Sequence, residues 1–167
     1  MTDLVQLPPF VVFYVSAVLA FFTRGALRSV VMLVAPLLGA LLLFGSASTV
    51  SQPLEFLGYS LILYRVDGLS SLFGYLFFLA VFIAIVFSLH VRDTLQQVAA
   101  LVYAGSALGA VFAGDLLTLF VFWELLALAS VFLIWGRRTR RSLSAGIRYL
   151  VMQIFSGILL LAGTLLH

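Results

Sequence analysis

Apolar runs of bilayer length constrain this chain more than any other feature. The stretch "GDLLTLFVFWELLALASVFLIW", residues 114–135, is almost unbroken hydrocarbon, with Asp115 at its edge and Glu124 near its middle. A hydrocarbon core about 30 Å thick is crossed by about 20 helical residues. Several runs here approach or reach that length. Of the 167 residues only 9% are charged and 64% are hydrophobic, too little polar surface to clothe a soluble domain. The sequence predicts an all-α polytopic membrane protein, a single membrane domain of six transmembrane helices. The spans are expected at about 8–23, 30–44, 69–89, 97–112, 115–135 and 143–166, with residues 46–68 as an outer-surface segment. The first, second and fourth are short, and either extend by a few residues or are met by an adapting bilayer. No basic region or small-residue cleavage pattern follows Met1, so the first run reads as a retained helix and not a signal peptide. Cysteine is absent, which removes disulfides, thiol catalysis and cysteine metal sites. No metal and no cofactor is expected.

All nine basic side chains are arginines, against six acids. All but Arg148 sit in the breaks between apolar runs. Arg24, Arg28, Arg92, Arg137, Arg138, Arg140 and Arg141 occupy alternate breaks, and the opposite breaks hold only Arg65. That asymmetry predicts cytoplasmic arginine-rich loops and outward termini; the membrane itself is expected to be a bacterial inner membrane. The placement suits lipid headgroups, and no polar surface interleaves bases with aromatics, so nucleic-acid binding is excluded.

Residues 46–68 contain Pro53, Glu55, Gly58 and Asp67, and are expected to fold back as a partly extended cap. Asp67 is a candidate N-cap for the third helix. Gly105, Gly109 and Ala113 recur every four residues, the spacing of a helix-packing stripe in lipid.

Glu124 lies nine residues beyond Asp115, roughly 13 Å along a helix and close to the bilayer midplane. A charge at that depth costs a few kcal/mol on insertion scales. The cost falls if the acid is neutral or if a cation pairs with it. The two states differ by one proton, as a proton relay requires. The alternative is a protonated acid that only joins helices. Asp115 suits either a helix cap or a position near a proton exit. On the sixth span Tyr149, Gln153 and Gly157 share one face, with Ser156 beside them, a face fit for waters or for another helix. Arg148 either snorkels to the cytoplasm or pairs with an acid such as Glu124. His90 ends the third span, where a histidine is either simply solvated or takes up protons. No lysine exists to pair with Glu124, and one mid-depth acid does not make a pathway across the membrane.

The segments "VDGLSSLFGYLFF", "HVRDTLQQVAALVYAGSALGAVFAGDLLTLFVFWELLALASVFLIW" and "AGIRYLVMQIFSGILLLAG" resemble the proton-conducting antiporter-like membrane subunits. These include the D-type subunit of multisubunit sodium/proton antiporters of the Mrp type, membrane-bound hydrogenase subunits and the large membrane-arm subunits of respiratory complex I. The resemblance spans most of the chain after about residue 60, and "FWE" followed by "RYL…Q…SG" is its specific part. It is nearest to the D-type branch of the Mrp antiporters. It implies that Glu124 is the key ionisable residue, paired with a lysine on a following broken helix, within a larger fold of inverted repeats. Neither that helix nor its lysine precedes His167, so the chain is expected to be an N-terminal piece or one part of a split subunit.

Three functions follow. The first is a proton-translocating subunit of a sodium/proton antiporter, partnered by the other subunits, protons, sodium and lipid. The second is a proton-pumping membrane-arm subunit of a complex I-like or hydrogenase assembly. No iron–sulfur ligand set or dinucleotide fingerprint is present, so redox chemistry would lie in other chains. The third is a non-conducting scaffold.

Overall fold

The structure, a computed structural model, describes residues 7–46, 50–51, 54–56, 59–91 and 93–166. Pro53, Gly58, Arg92 and His167, which carry expectations above, lie outside these residues. Among the described residues six helices follow one another: α1 (Val11–Phe22), α2 (Ala26–Gly45), α3 (Gly68–Ser88), α4 (Thr94–Val111), α5 (Leu116–Trp135) and α6 (Arg140–Leu166). Two short strands, β1 (Leu54–Phe56) and β2 (Tyr59–Leu61), lie between α2 and α3. Five helices are long and apolar enough to cross a membrane. The chain is an all-α, multi-pass membrane protein. The sixth helix, α1, has 12 residues and rises only about 18 Å.

α1 starts later than expected, at Val11 and not near Pro8, and three helices start earlier. α2 begins at Ala26 and not near residue 30, which draws Arg28 out of the loop and into a buried helical position. α4 begins at Thr94 because the Asp93 carboxylate accepts a bond from the Leu95 amide at 3.0 Å, the ordinary N-cap arrangement. α6 begins at Arg140, so Arg140 and Arg141 belong to its first turn. There Thr139 and Ser142 exchange side-chain to backbone bonds, both 3.1 Å. Cations at a helix N-terminus oppose its dipole, a cost that anionic headgroups can offset. Asp67 caps α3 as expected. It accepts from the Ser70 amide at 2.8 Å, and its own amide donates to Ser70 Oγ at 2.8 Å, a reciprocal capping box.

α4 is the centre of the bundle, packed against α1, α3 and α5. α1, α2 and α3 follow one another around it, and α6 is added on the far side of α5. Half of the α4 span is buried, against 6% of the α6 span, so α6 is an outer helix. Lipid offers no hydrophobic drive for one helix to join another, so close packing must supply the attraction. Aromatic rings do this by seating over glycines. The Phe78 ring lies over Gly39, where a Cβ would come within 2.9 Å of Cζ, and the Phe122 ring lies over Gly109, where a Cβ would come within 2.7 Å of Cγ. Phe13 stacks on Phe78 with centroids 5.9 Å apart, and Phe10 meets Phe122 edge-on at 5.0 Å. Such pairs contribute about 0.5–1.5 kcal/mol each beyond burial.

The segment between α2 and α3 is partly extended. Leu54 pairs with Leu61 and Glu55 with Ser60 in an antiparallel ladder, and Val50 bridges Arg65. It is tied to the turn between α4 and α5. The Gly114 amide donates to Ile62 O at 3.0 Å, and the Arg65 amide donates to Phe112 O at 2.8 Å. Gly114 permits this approach, since a Cβ there would lie 2.7 Å from Ile62 Cβ.

Candidate functional site

The site is built on α5. Asp115 starts the helix: one oxygen accepts from the Thr118 amide at 2.7 Å, the other from Thr118 Oγ1 at 2.6 Å and from the Ile62 amide at 2.7 Å. Both carboxylate oxygens are therefore committed to capping and to holding the extended segment. Two and a half turns further on, the helix carries Glu124 in its middle. Glu124 Oε1 is buried and has no hydrogen-bond partner among the described residues. A buried carboxyl group left unpaired is costly, and few such groups persist without a reason.

α6 runs antiparallel to α5 and supplies the other wall. The Glu124 carboxyl sits on the bare face of Gly157, where an added Cβ would collide with Oε1 and come within 3.0 Å of Cδ. Toward the opposite end of the seam the Trp135 indole sits on Gly146 in the same way, with Cδ1 at 2.7 Å from an added Cβ. Trp135 Nε1 is also buried without a partner among the described residues. Glu124 and Trp135 are eleven residues apart on α5, and Gly146 and Gly157 are eleven apart on α6. Eleven residues make about three turns, so each helix returns to the same face. One register therefore seats both polar groups of α5 on glycines of α6.

The remaining candidates take distinct places. Tyr149 and Gln153 are half-buried on the stripe that joins Gly146 to Gly157, between the two seats, and Ser156 is exposed beside it. Arg148 is exposed and lies nine residues from Gly157, roughly 13 Å along the helix. Among the described residues the ion pair is Arg138 with Asp93, at 3.1 Å. Arg148 therefore does not pair with Glu124 in this structure. His90 is exposed at the turn after α3. Gly105 and Gly109 face different neighbours: Gly105 meets Phe13 of α1, with Cβ to Cβ at 3.0 Å, and Gly109 meets Phe122 of α5. Ala113 is half-buried in the turn that follows α4. No group of three metal-ligating side chains occurs among the described residues.

Sequence reasoning missed two features. The first is the double glycine seat, legible only in the matched eleven-residue spacing. The second is Arg28, which by sequence is a loop cation. Its guanidinium donates to Thr23 O at 2.6 and 2.9 Å, to Thr94 Oγ1 at 2.9 Å and to Gln97 Oε1 at 3.3 Å. The Gln97 amide is fixed in turn by Val91 O at 2.7 Å. The signal available was a polar pair, Gln96 and Gln97, at the start of an otherwise apolar span.

Residues 113–167, about a third of the chain, match the model of the family described as NADH:quinone oxidoreductase/Mrp antiporter, transmembrane. The matched segment contains α5, α6, Glu124 and both glycine seats. No curated protein is matched by the chain at a significant level.

Proposed function

We propose that this chain is a proton-translocating subunit of a multisubunit membrane complex, with Glu124 as its proton-binding relay. The observation that carries the reading is Glu124 Oε1, buried without a hydrogen-bond partner among the described residues, halfway along a membrane-length helix and inside the segment that resembles the antiporter and quinone oxidoreductase family. Intramembrane acids mark proton and ion paths by default, because hydrocarbon selects against them otherwise. Gly157 leaves the carboxyl room on one side, and Tyr149 and Gln153 continue the polar stripe toward the arginine-bearing end. A relay must exchange its proton with something, and a group with no fixed partner is free to do so. Asp115 serves chiefly to place α5, and Gly157 to place the carboxyl.

Within that class we favour the sodium/proton antiporter of the Mrp type, with the second carrier of charge on another part of the assembly. A membrane-arm subunit of a quinone-reducing or hydrogen-evolving complex would use the same carboxyl with redox chemistry in other chains. The two differ in what proton movement is coupled to, sodium exchange or electron transfer.

The test is proton transport in membrane vesicles holding the assembled complex, with Glu124 and with Glu124→Gln. The amide keeps the volume and loses the proton. We expect normal assembly, with transport falling to the level of vesicles lacking the complex. Unchanged transport would leave the carboxyl as an assembly feature and would favour the scaffold reading.

A further inference from the structure

We propose that the crevice enclosed by α2, α3 and α4 is a binding site for one anionic phospholipid. Its phosphate would lie against Arg24 and Arg28, and one acyl chain would run along the apolar walls toward the middle of the bundle. The inference is independent of the role given to Glu124.

The polar half of the site is a cavity of about 650 Å³ lined by Arg24, Arg28, Ser29, Leu89, Thr94 and Gln97. Arg28 is only 9% exposed, and among the described residues its bonds go to neutral acceptors. A buried cation without a counter-charge is held at a cost, which a bound anion would relieve. The acid that precedes α4, Asp93, is already engaged by Arg138 and by the Leu95 amide. Among the described residues no acid lines this cavity. α2 also begins here, at Ala26, and the preceding Gly25 gives it no side-chain cap. Its first amides, with the positive end of the helix dipole, therefore add to the attraction for an anion. Two guanidinium groups and free helix amides form a phosphate-binding chemistry.

The apolar half argues for a lipid and not a free ion. A second cavity, of about 380 Å³, is walled by Met32, Ala84, Ile85, Ala100, Leu101 and Ala104, among other apolar residues. Its lining lies next to that of the first along α2, α3 and α4. Arg28 and Met32 are one turn apart on α2, Ser88 and Leu89 adjoin at the end of α3, and Gln97 and Leu101 are one turn apart on α4. Crossing from the charged to the apolar half takes a single helical turn, about 5 Å, as it does at the headgroup of a phospholipid. A free anion would gain nothing from the apolar walls. A zwitterionic lipid would bring a choline cation to a site whose described lining holds no acid to receive it.

Native mass spectrometry of the protein in its purified complex tests this, after re-equilibration with phosphatidylglycerol or with phosphatidylcholine of the same chain length. Phosphatidylglycerol should be retained at one per chain and about tenfold more tightly, the factor worth about 1.4 kcal/mol. Ala84→Leu, which fills the crevice from its exposed side, should abolish retention, and Arg24→Gln should weaken it several-fold. Neither residue contributes to the Glu124 site. Millimolar inorganic phosphate should not displace the lipid. Equal retention of the two lipids, or unchanged retention in Ala84→Leu, would overturn the proposal. Full displacement by inorganic phosphate would overturn it too, and would mark a free-anion site.

Discussion

Gly157 is as much a part of the candidate site as the acid it faces. Any side chain there would occupy the position of Glu124 Oε1. We therefore expect Gly157→Ala to push the carboxyl aside or to separate α5 from α6. Overpacking of this kind costs about 1–3 kcal/mol, so the helices should still insert while transport falls. Gly146→Ala is the matched control. It meets Trp135 by the same mechanism and should cost similar stability, but its seat holds no titratable group. Measuring vesicle transport and thermal unfolding of both variants separates the effects. Equal transport in the two would mean that Gly157 acts through packing alone. The carboxyl itself was legible from the sequence, because an acid amid hydrocarbon is conspicuous. The seat was not, since a glycine in an apolar helix looks the same whether it faces lipid, a ring or a carboxylate.

Each capped helix start is set by a side chain of one or two carbons, and these elements can be perturbed singly. Asp115 holds the first turn of α5 and the backbone of Ile62 together. Asp115→Ala should lower stability by about 1 kcal/mol for the lost cap and loosen residues 59–65, as hydrogen exchange would show. Asp115→Asn keeps a capping acceptor and should recover most of that loss, with transport near normal. A transport defect in Asp115→Asn with stability intact would assign the carboxylate to the proton path. The exposed Asp67 differs in being sensitive to pH. Its bonds from Ser70, the backbone amide first, hold its carboxyl below the usual range. A depressed value means that the charged form is the one the fold favours. The cap is thus fully formed above the unfolded value of about 4 and weakens as pH falls below it. Weaker protection of the first α3 amides at pH 3 than at pH 6, after exchange is corrected for its intrinsic pH dependence, with the difference abolished in Asp67→Asn, would show this. The caps at Asp67 and Asp115 were legible because each acid directly precedes an apolar run. The earlier starts of α2, α4 and α6 were not, because there the first helical turns carry polar or charged residues outside the apolar run, and in α2 some of their bonding partners are also distant in sequence. Arg28 is the clearest case: its helical, buried place depends on Thr94 and Gln97, more than sixty residues away.

The order of packing leaves the molecule lopsided. α1 to α4 surround a shared core, α5 rests on α4, and α6 touches mainly α5. α6 consequently presents Ile147, Val151, Met152, Phe155 and Ile158 outward, together with the exposed polar groups Arg148 and Ser156. An apolar face alone would be at home in lipid. A serine near the middle of a 27-residue span is less so, because its hydroxyl has nothing in hydrocarbon to bond beyond its own helix. Ser156 also lies one residue from the seat of the Glu124 carboxyl. The proposed function requires a neighbouring subunit to cover this side and to supply the partner that Glu124 lacks. A photo-reactive group introduced by Ser156→Cys and labelling should then give a protein–protein adduct in native membranes, and the same label at Leu79 on the outer side of α3 should give lipid adducts. Only lipid adducts from both positions would mean that α6 faces the bilayer and that the relay must be completed from the side of α5. A protein adduct at Ser156 that disappears when the complex is dissociated would identify the neighbour that covers α6 beside Glu124.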